Sequence, residues 1–572
     1  MRPRLLAVVA LVALVAAACS SSASPTTGAG PGNSTTADTG TVVHQGEPPV
    51  LAYDTTTAFV GGDPTVVSTP AGPVHGTVAQ ATRRFLALPY AAPPVGENRW
   101  RAPQPVTPWT AVRDATASPP ECTQVLPVVD LKVGQEDCLY LNVDTPAAAP
   151  DHLLPVMVWI HGGGFTVGSG NDNPPTRIVE RGGVIVVSIN YRLGPFGFLA
   201  HPALQAEDPS GSLGNMGFLD QVAALQWVHD SIGSFGGDPR NVTIFGESAG
   251  AMSVCAHLQS PRSAGLFERA IMESGPCVQA GFDRAVAVPQ SAQFTTVLGC
   301  DAATDQLACL RSRDSQAVLD AMPGDPTFLF RKAAFWFPTA DDVVLPSDAT
   351  ARIAAGDFNR VPVIAGVNRD EGRLFIGMAA HTAGALIAPV TPANYEQRTI
   401  AYFGDTVGPK VVEQYPLSDY PGASEALGQA VGDAIMACPA IDGALALAPT
   451  VPVYLYQFEH APNPFVLPMT GIDLGAFHSA ELPYVFGGPV LSSGPITFTP
   501  AEQATSDAVI DAWTRFARTG DPSGGGLEWP VAGSSRTGLV IDTPVHLGTD
   551  LHRDPCSFWA AMNWNARDAG RQ

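Results

Sequence analysis

Apolar residues in this chain gather into short unbroken runs instead of alternating with polar ones. Five such runs stand out: PVMVWI (155–160), VIVVSIN (184–190), VTIF (242–245), PVIAGV (362–367) and VYLYQF (453–458). Short, continuous, β-branched runs are what strands buried on both faces look like. Helical-looking stretches separate several of them, for example residues 220–232 and 501–518. This alternation predicts an α/β fold with a large, mostly parallel central sheet flanked by helices. A small N-terminal β-hairpin is predicted ahead of it at VVSTPAGPVHG (66–76), where two short apolar strands flank a Pro/Gly turn. No internal repeat and no clean linker follow, so residues 48–572 are read as one domain.

The first residues follow a different pattern. Arg2 and Arg4 precede an apolar run over residues 5–18. As a helix that run spans only ~21 Å, short of a ~30 Å hydrocarbon core, so residues 1–18 are read as a signal peptide. Ala16-Ala17-Ala18-Cys19 resembles a bacterial lipobox, with Ala where Leu is usual, and also fits an ordinary Ala-x-Ala cleavage site. Residues 19–47 are rich in Ser, Thr, Gly and Pro and read as a flexible tether. The chain has nine cysteines. Acylating Cys19 would leave an even number for an oxidising compartment. The expectation is export, with Cys19 as a lipid anchor on the outer face of the cell membrane; plain secretion is the alternative. The net charge of −22 fits solubility outside the cell and argues against nucleic acid as a partner.

Candidate chemistry centres on NVTIFGESAG (241–250). Here a strand meets a Gly-x-Ser-x-Gly turn and a helix-like stretch follows, which is the context of a nucleophile elbow around Ser248. Gly246 and Gly250 leave room where a Cβ would strike a neighbour. Upstream, HGGGF (161–165) follows the strand PVMVWI. Its glycines can turn N–H groups toward a developing oxyanion, and the donors expected are Gly163, Gly164 and Ala249. The loop lacks the Lys and Ser/Thr of a phosphate loop. A base and an acid should lie downstream. Among twelve histidines, His460 ends a strand and His478 sits in the loop after it. In GVNRDEG (366–372), both Asp370 and Glu371 follow a strand. The residues alone leave both choices open.

Longer motifs carry a resemblance. FGGDPRNVTIFGESAG (235–250) resembles the serine active-site signature of the type-B carboxylesterase/lipase family, which includes the cholinesterases, and EDCLYLNV (136–143) resembles its second signature. FLALPYAAPPVGENRWRAP, HGGGF, INYRLGPFGFL, GVNRDEG, FHSAELPYVFG and WTRFARTGDP continue the match over nearly the whole chain after the tether. The resemblance implies an α/β-hydrolase fold and a serine esterase with a Ser248, Glu371, His478 triad, working through an acyl-enzyme without cofactor or metal. That order agrees with the general α/β-hydrolase order. Glu247 is read as a buried structural carboxylate. A lipase acting on longer acyl chains is the alternative activity. A non-catalytic adhesion protein is the reading from another class, and the intact triad and HGGGF argue against it.

The resemblance also pairs cysteines: Cys122 with Cys138, Cys300 with Cys309, and Cys438 with Cys556. Cys255 and Cys277 are left over and are expected to form a fourth bond. In cholinesterases the first disulfide loop is much longer and carries a Trp that binds the quaternary ammonium. Here the loop is short and has no Trp, so a choline ester is not expected. Phe335, Trp336 and Phe337 fall near the family's acyl pocket, which suits an apolar acyl or aromatic group, although core packing fits them equally. Asn241-Val242-Thr243 is a glycosylation triplet inside the elbow strand and is expected to stay unmodified.

Overall fold

The computed structural model describes residues 63–126, 131–148, 152–277, 282–321, 336–380, 390–461, 472–491, 493–533 and 535–562. The expected signal peptide, Cys19, the tether, the domain start at residue 48 and Phe335 lie outside the described residues.

The predicted hairpin is present as β1 (Val66–Thr69) and β2 (Gly72–His75), paired antiparallel. An eleven-stranded sheet forms the centre. In chain order its strands are β3 (Thr77–Ala79), β4 (Thr82–Pro89), β5 (Tyr140–Pro146), β6 (Leu154–Ile160), β7 (Ile185–Ile189), β8 (Gly237–Glu247), β9 (Arg269–Glu273), β10 (Val363–Asn368), β11 (Val453–Phe458), β12 (Gly538–Ile541) and β13 (His546–Gly548). In space they run β13-β12-β11-β10-β9-β8-β6-β7-β5-β4-β3. The stretch from β12 to β7 is parallel throughout. The edges are antiparallel: β13 on one side, and β5, β4 and β3 on the other. The five apolar runs are therefore five of the seven strands of the parallel centre, which β9 and β12 complete, and the edges make the sheet mixed.

Both faces of that centre are covered. On β6, Val156, Val158 and Ile160 point to one core, and Met157 and Trp159 to the other, as the two-residue period of a strand requires. The first core packs against α2 (Met216–Ser231) and α3 (Ala249–Gln259) through Leu225, Val228, Val254 and Leu258. The second packs against α1 (Thr176–Gly182) and α6 (Pro500–Thr519) through Val179, Ile510, Trp513 and Phe516. Each buried Val, Leu or Ile side chain contributes about 1.5–3 kcal/mol, which is why the central strands carry so few polar residues. The remaining helices used below are α4 (Arg373–Ala380), α5 (Cys438–Leu447) and α7 (Arg553–Met562). α5 is the end of a longer apolar helix, Ala423–Leu447, that is mostly buried inside the domain and so is a core element.

Four disulfides join described residues: Cys122–Cys138, Cys255–Cys277, Cys300–Cys309 and Cys438–Cys556. Cys255–Cys277 ties α3 to the segment after β9, and Cys438–Cys556 ties α7 to α5.

Candidate active site

β8 ends at Glu247 and α3 begins at Ala249, leaving Ser248 alone in the turn. Its backbone sits at φ 57°, ψ −121°, outside the regions an ordinary L-residue favours. The surroundings enforce that strain. Ser248 N–H donates to the Glu273 carbonyl at 2.8 Å, and the Ser248 carbonyl accepts from Met252 N–H at 3.0 Å. A Cβ at Gly250 would lie 2.0 Å from the Ile160 carbonyl oxygen, and one at Gly246 would lie 2.6 Å from Gly250 backbone. Strand, turn and helix can pack this closely only with glycine at both positions.

The HGGGF loop lies against the same turn. A Cβ at Gly162 would meet the Glu247 carbonyl oxygen at 2.7 Å and Ser248 Cβ at 3.1 Å. Gly163, Gly164 and Phe165 all have positive φ (93°, 61° and 58°), so the chain curls tightly beside Ser248. The curl closes on itself, with the Gly163 carbonyl accepting from Thr166 N–H (3.1 Å) and Val167 N–H (3.0 Å). His161 stacks on Tyr191 at 4.4 Å. Burial pushes its pKa down to about 4, so it adds no charge beside the loop.

The two candidate histidines separate cleanly. His478 Nδ1 lies 2.6 Å from Glu371 Oε2, and Glu371 Oε1 accepts from Asn368 N–H at 2.7 Å. His478 Nε2 lies 3.1 Å from Oε1 of Glu247, the residue just before Ser248. The ring also packs on Phe375 of α4 at 5.0 Å. His460 is instead held 3.2 Å from both Asp542 and Glu502, and Glu502 caps the N-terminus of α6 with Thr499. Asp370 does not share the His478 ring. It accepts from Ala476 N–H at 2.8 Å and pairs with Arg373, which fixes the loop leading into His478.

Charge around His478 is dense. Burial alone would lower the His478 pKa, but the carboxylates of Glu247 and Glu371, with the Glu371 hydrogen bond, raise it to about 9. Glu247 is buried as expected, yet it touches the imidazole and also accepts from Ser479 Oγ at 2.7 Å. Two neighbours escaped the sequence reading. Burial and the surrounding acids raise Glu481 well above the carboxylate range, and Asn368 Nδ2 donates to it. Burial raises Glu273 to about 8, and it accepts from Trp513 Nε1 at 2.7 Å. The only local hint was Glu481, which lies in ELPYVFG three residues after His478.

Trp336 and Phe337 are both core residues; Trp336 packs on Phe294, and Phe337 on Phe165 of the HGGGF loop at 5.1 Å. Phe198 also packs on Phe165, at 5.3 Å. Asn241 and Thr243 are buried, so the glycosylation triplet is inaccessible in the fold. Among the described residues, no group of three or more His, Cys, Asp and Glu side chains is placed to hold a metal ion.

A doubly flanked sheet with an acid–histidine pair beside a serine elbow defines an α/β-hydrolase. Comparison with known proteins narrows the class. The carboxylesterase family model matches residues 63–559. The para-nitrobenzyl esterase of Bacillus subtilis (strain 168) is 36% identical over 500 residues, covering 85% of this chain and 96% of that protein. Liver carboxylesterase 1F of Rattus norvegicus is 33% identical over 554 residues, covering 88% and 96%. A solved PNB esterase structure aligns with TM-score 0.73 at 33% identity, over 87% of this chain and 99% of that one. The chain belongs to the carboxylesterase family and is a carboxylic-ester hydrolase.

Proposed function

We propose that the protein cleaves carboxylic esters with apolar acyl or aromatic groups through Ser248, His478 and Glu371, by way of an acyl-enzyme. The observation that carries this reading is the His478 ring, anchored at Nδ1 by Glu371 and with Nε2 3.1 Å from Glu247, the residue that leads into the strained Ser248 turn. With Nδ1–H donating to Glu371, Nε2 is the basic nitrogen. It takes the Ser248 hydroxyl proton as Oγ attacks the carbonyl carbon. The carbonyl oxygen becomes an oxyanion, stabilised by the N–H groups of Gly163, Gly164 and Ala249. The intermediate collapses, and the alcohol leaves with the proton from His478. Water then attacks the acyl-enzyme by the same route, releasing the carboxylic acid and restoring Ser248. The apolar preference is supported by the Phe165, Phe198 and Phe337 cluster at the oxyanion loop.

The test is an ester panel graded in acyl length, with p-nitrobenzyl esters included, run on wild type and Ser248→Ala. Turnover of every cleaved ester should fall about 10⁴–10⁶-fold in the variant. Wild-type activity in the variant refutes the nucleophile. A preference for long acyl chains at an interface replaces esterase with lipase.

We also infer export and anchoring through an acylated Cys19. The four disulfides support an oxidising compartment. In detergent phase partition the wild type should enter the detergent phase and Cys19→Ala the aqueous phase. A wild type found only in the aqueous phase rules the anchor out.

A further inference from the structure

The oxyanion loop does not end at Phe165. It continues through residues 166–172, and amide side chains from three separate segments hold that continuation. Asn190 Oδ1 accepts from Gly170 N–H at 2.8 Å, while its Nδ2 donates to the Pro120 and Cys138 carbonyls at 3.0 and 3.2 Å. Asn142 Nδ2 donates to Asn171 Oδ1 at 3.0 Å. The most complete of these attachments is Gln124, on the short strand Gln124–Leu126 inside the Cys122–Cys138 disulfide loop. Its Oε1 accepts from Gly168 N–H at 2.8 Å, and its Nε2 donates to the Gly168 carbonyl at 3.0 Å. The second Nε2 proton reaches the Cys122 carbonyl at 3.0 Å. The carboxamide is buried and both of its amide protons are used, so it has no rotational freedom.

What Gln124 grips is in direct contact with the oxyanion glycines. Gly168 sits at φ 111°, and a Cβ there would lie 2.4 Å from His161 Nδ1 and 2.8 Å from the Gly162 carbonyl oxygen. A Cβ at Gly163 would lie 2.2 Å from the Val167 carbonyl oxygen. Residues 161–163 and 167–168 are thus two layers of one curl, and neither can shift without the other. The inner layer lies on the Ser248 turn through Gly162.

We propose that Gln124 is a positioning residue of the oxyanion hole: its carboxamide pins Gly168 and, through that contact, fixes the Gly162–Gly164 curl against Ser248. This rests on the reading of Gly163, Gly164 and Ala249 as oxyanion donors. It also gives the disulfide loop a task unrelated to cation binding, since the loop carries the clamp that holds the donors in place. The three hydrogen bonds of the Gln124 carboxamide go to Gly168 and Cys122 backbone, so Gln124 acts through the loop. Its effect belongs to the transition state, because a donor displaced by about 1 Å can cost about 10²-fold in rate while ground-state binding is kept.

The test compares wild type, Gln124→Ala, Gln124→Glu and Ser248→Ala as full chains. A serine-reactive phosphonate, taken to end point, counts competent sites, so turnover is read per site and misfolded protein drops out. Gln124→Ala should lower kcat per site about 10–10²-fold, with KM changed little. Affinity for a trifluoromethyl ketone, which binds as an oxyanion, should fall by a similar factor, while affinity for the matching methyl ketone should not. Gln124→Glu keeps the acceptor for Gly168 N–H and loses the donor, so it should fall between the two. A Gln124→Ala protein with lower Tm but unchanged kcat per site and unchanged trifluoromethyl ketone affinity shows that Gln124 only packs the loop and overturns the proposal. Full activity in Ser248→Ala instead removes the underlying site, a result separable from any Gln124 outcome.

Discussion

The two halves of the site are built from different materials. The half around the proposed nucleophile, Ser248 with the HGGGF curl, is held at its inner layer by backbone packed on backbone, with side-chain amides reaching only the outer layer at residues 168–171. Its tolerances are read in glycine contacts: 2.0 Å for a Cβ at Gly250 and 2.7 Å for one at Gly162. The histidine half is held by side-chain hydrogen bonds among buried acids, with His478 between Glu371 and Glu247 and with Glu481 and Glu273 behind them. The first half is rigid because atoms would overlap, and it carries little net charge. The second half is set by electrostatics, so protons and isosteric substitutions can tune it. Substitutions that exploit this difference should fail in different ways.

The largest effect should come from the histidine half. His478→Ala removes the proposed base and should lower kcat about 10⁴–10⁶-fold. His460→Ala makes the same chemical change in a residue that also sits between two carboxylates, yet kcat should be kept, with the loss appearing in Tm because His460 serves the end of α6. Steady-state kinetics and thermal melts on the two variants decide the assignment; equal losses of activity would erase it. The nucleophile half should fail sterically. Gly162→Ala drives a methyl into Glu247 backbone and Ser248 Cβ. It should lower kcat about 10²–10³-fold, on the scale of losing one oxyanion donor, with KM moved far less. A parallel rise in KM would mean that the curl shapes the substrate pocket more than the oxyanion hole.

The same contrast explains what could be read from the chain. The nucleophile half is contiguous: strand, Gly-x-Ser-x-Gly and helix lie in one stretch, and HGGGF in another, each with a local steric reason for its glycines. Five of the seven parallel strands were legible because burial on both faces removes polar residues from them; β9, with Arg269 and Glu273 at its ends, and the short β12 were not among the runs. β5 was not, since Tyr140, Asn142 and Asp144 interrupt its apolar positions and its pairing is antiparallel. In the histidine half, the residues alone could not rank His460 against His478 or Asp370 against Glu371, and only the resemblance to a family did. Buried and surface carboxylates are spelled alike. Nothing local to Glu481 signals that Asn368, 113 residues upstream, donates to it. Nor does Gln124 show in sequence that it closes on Gly168, 44 residues away.

The smallest effect sharpens the contrast most, because it concerns charge alone. Glu247 and Glu371 both raise the His478 pKa against the pull of burial. A base must be neutral to accept a proton, so activity is lost as pH falls through that pKa. The acid flank of kcat/KM should therefore lie above 6.5, the ordinary histidine value, and toward about 9. Glu247→Gln keeps an acceptor for Ser479 Oγ and removes one of the two charges. Burial then weighs more against the imidazolium, and the flank should move to lower pH while the plateau rate changes little. Glu371→Gln should also lower the flank, but it removes the charged partner of Nδ1–H and with it the stabilised imidazolium, so its plateau should fall steeply. Rate profiles from pH 5 to 10 on the three proteins separate the roles. A flank that stays in place in Glu247→Gln would mean that Glu247 carries a proton of its own over this range, and that Glu371 alone sets the basicity of His478.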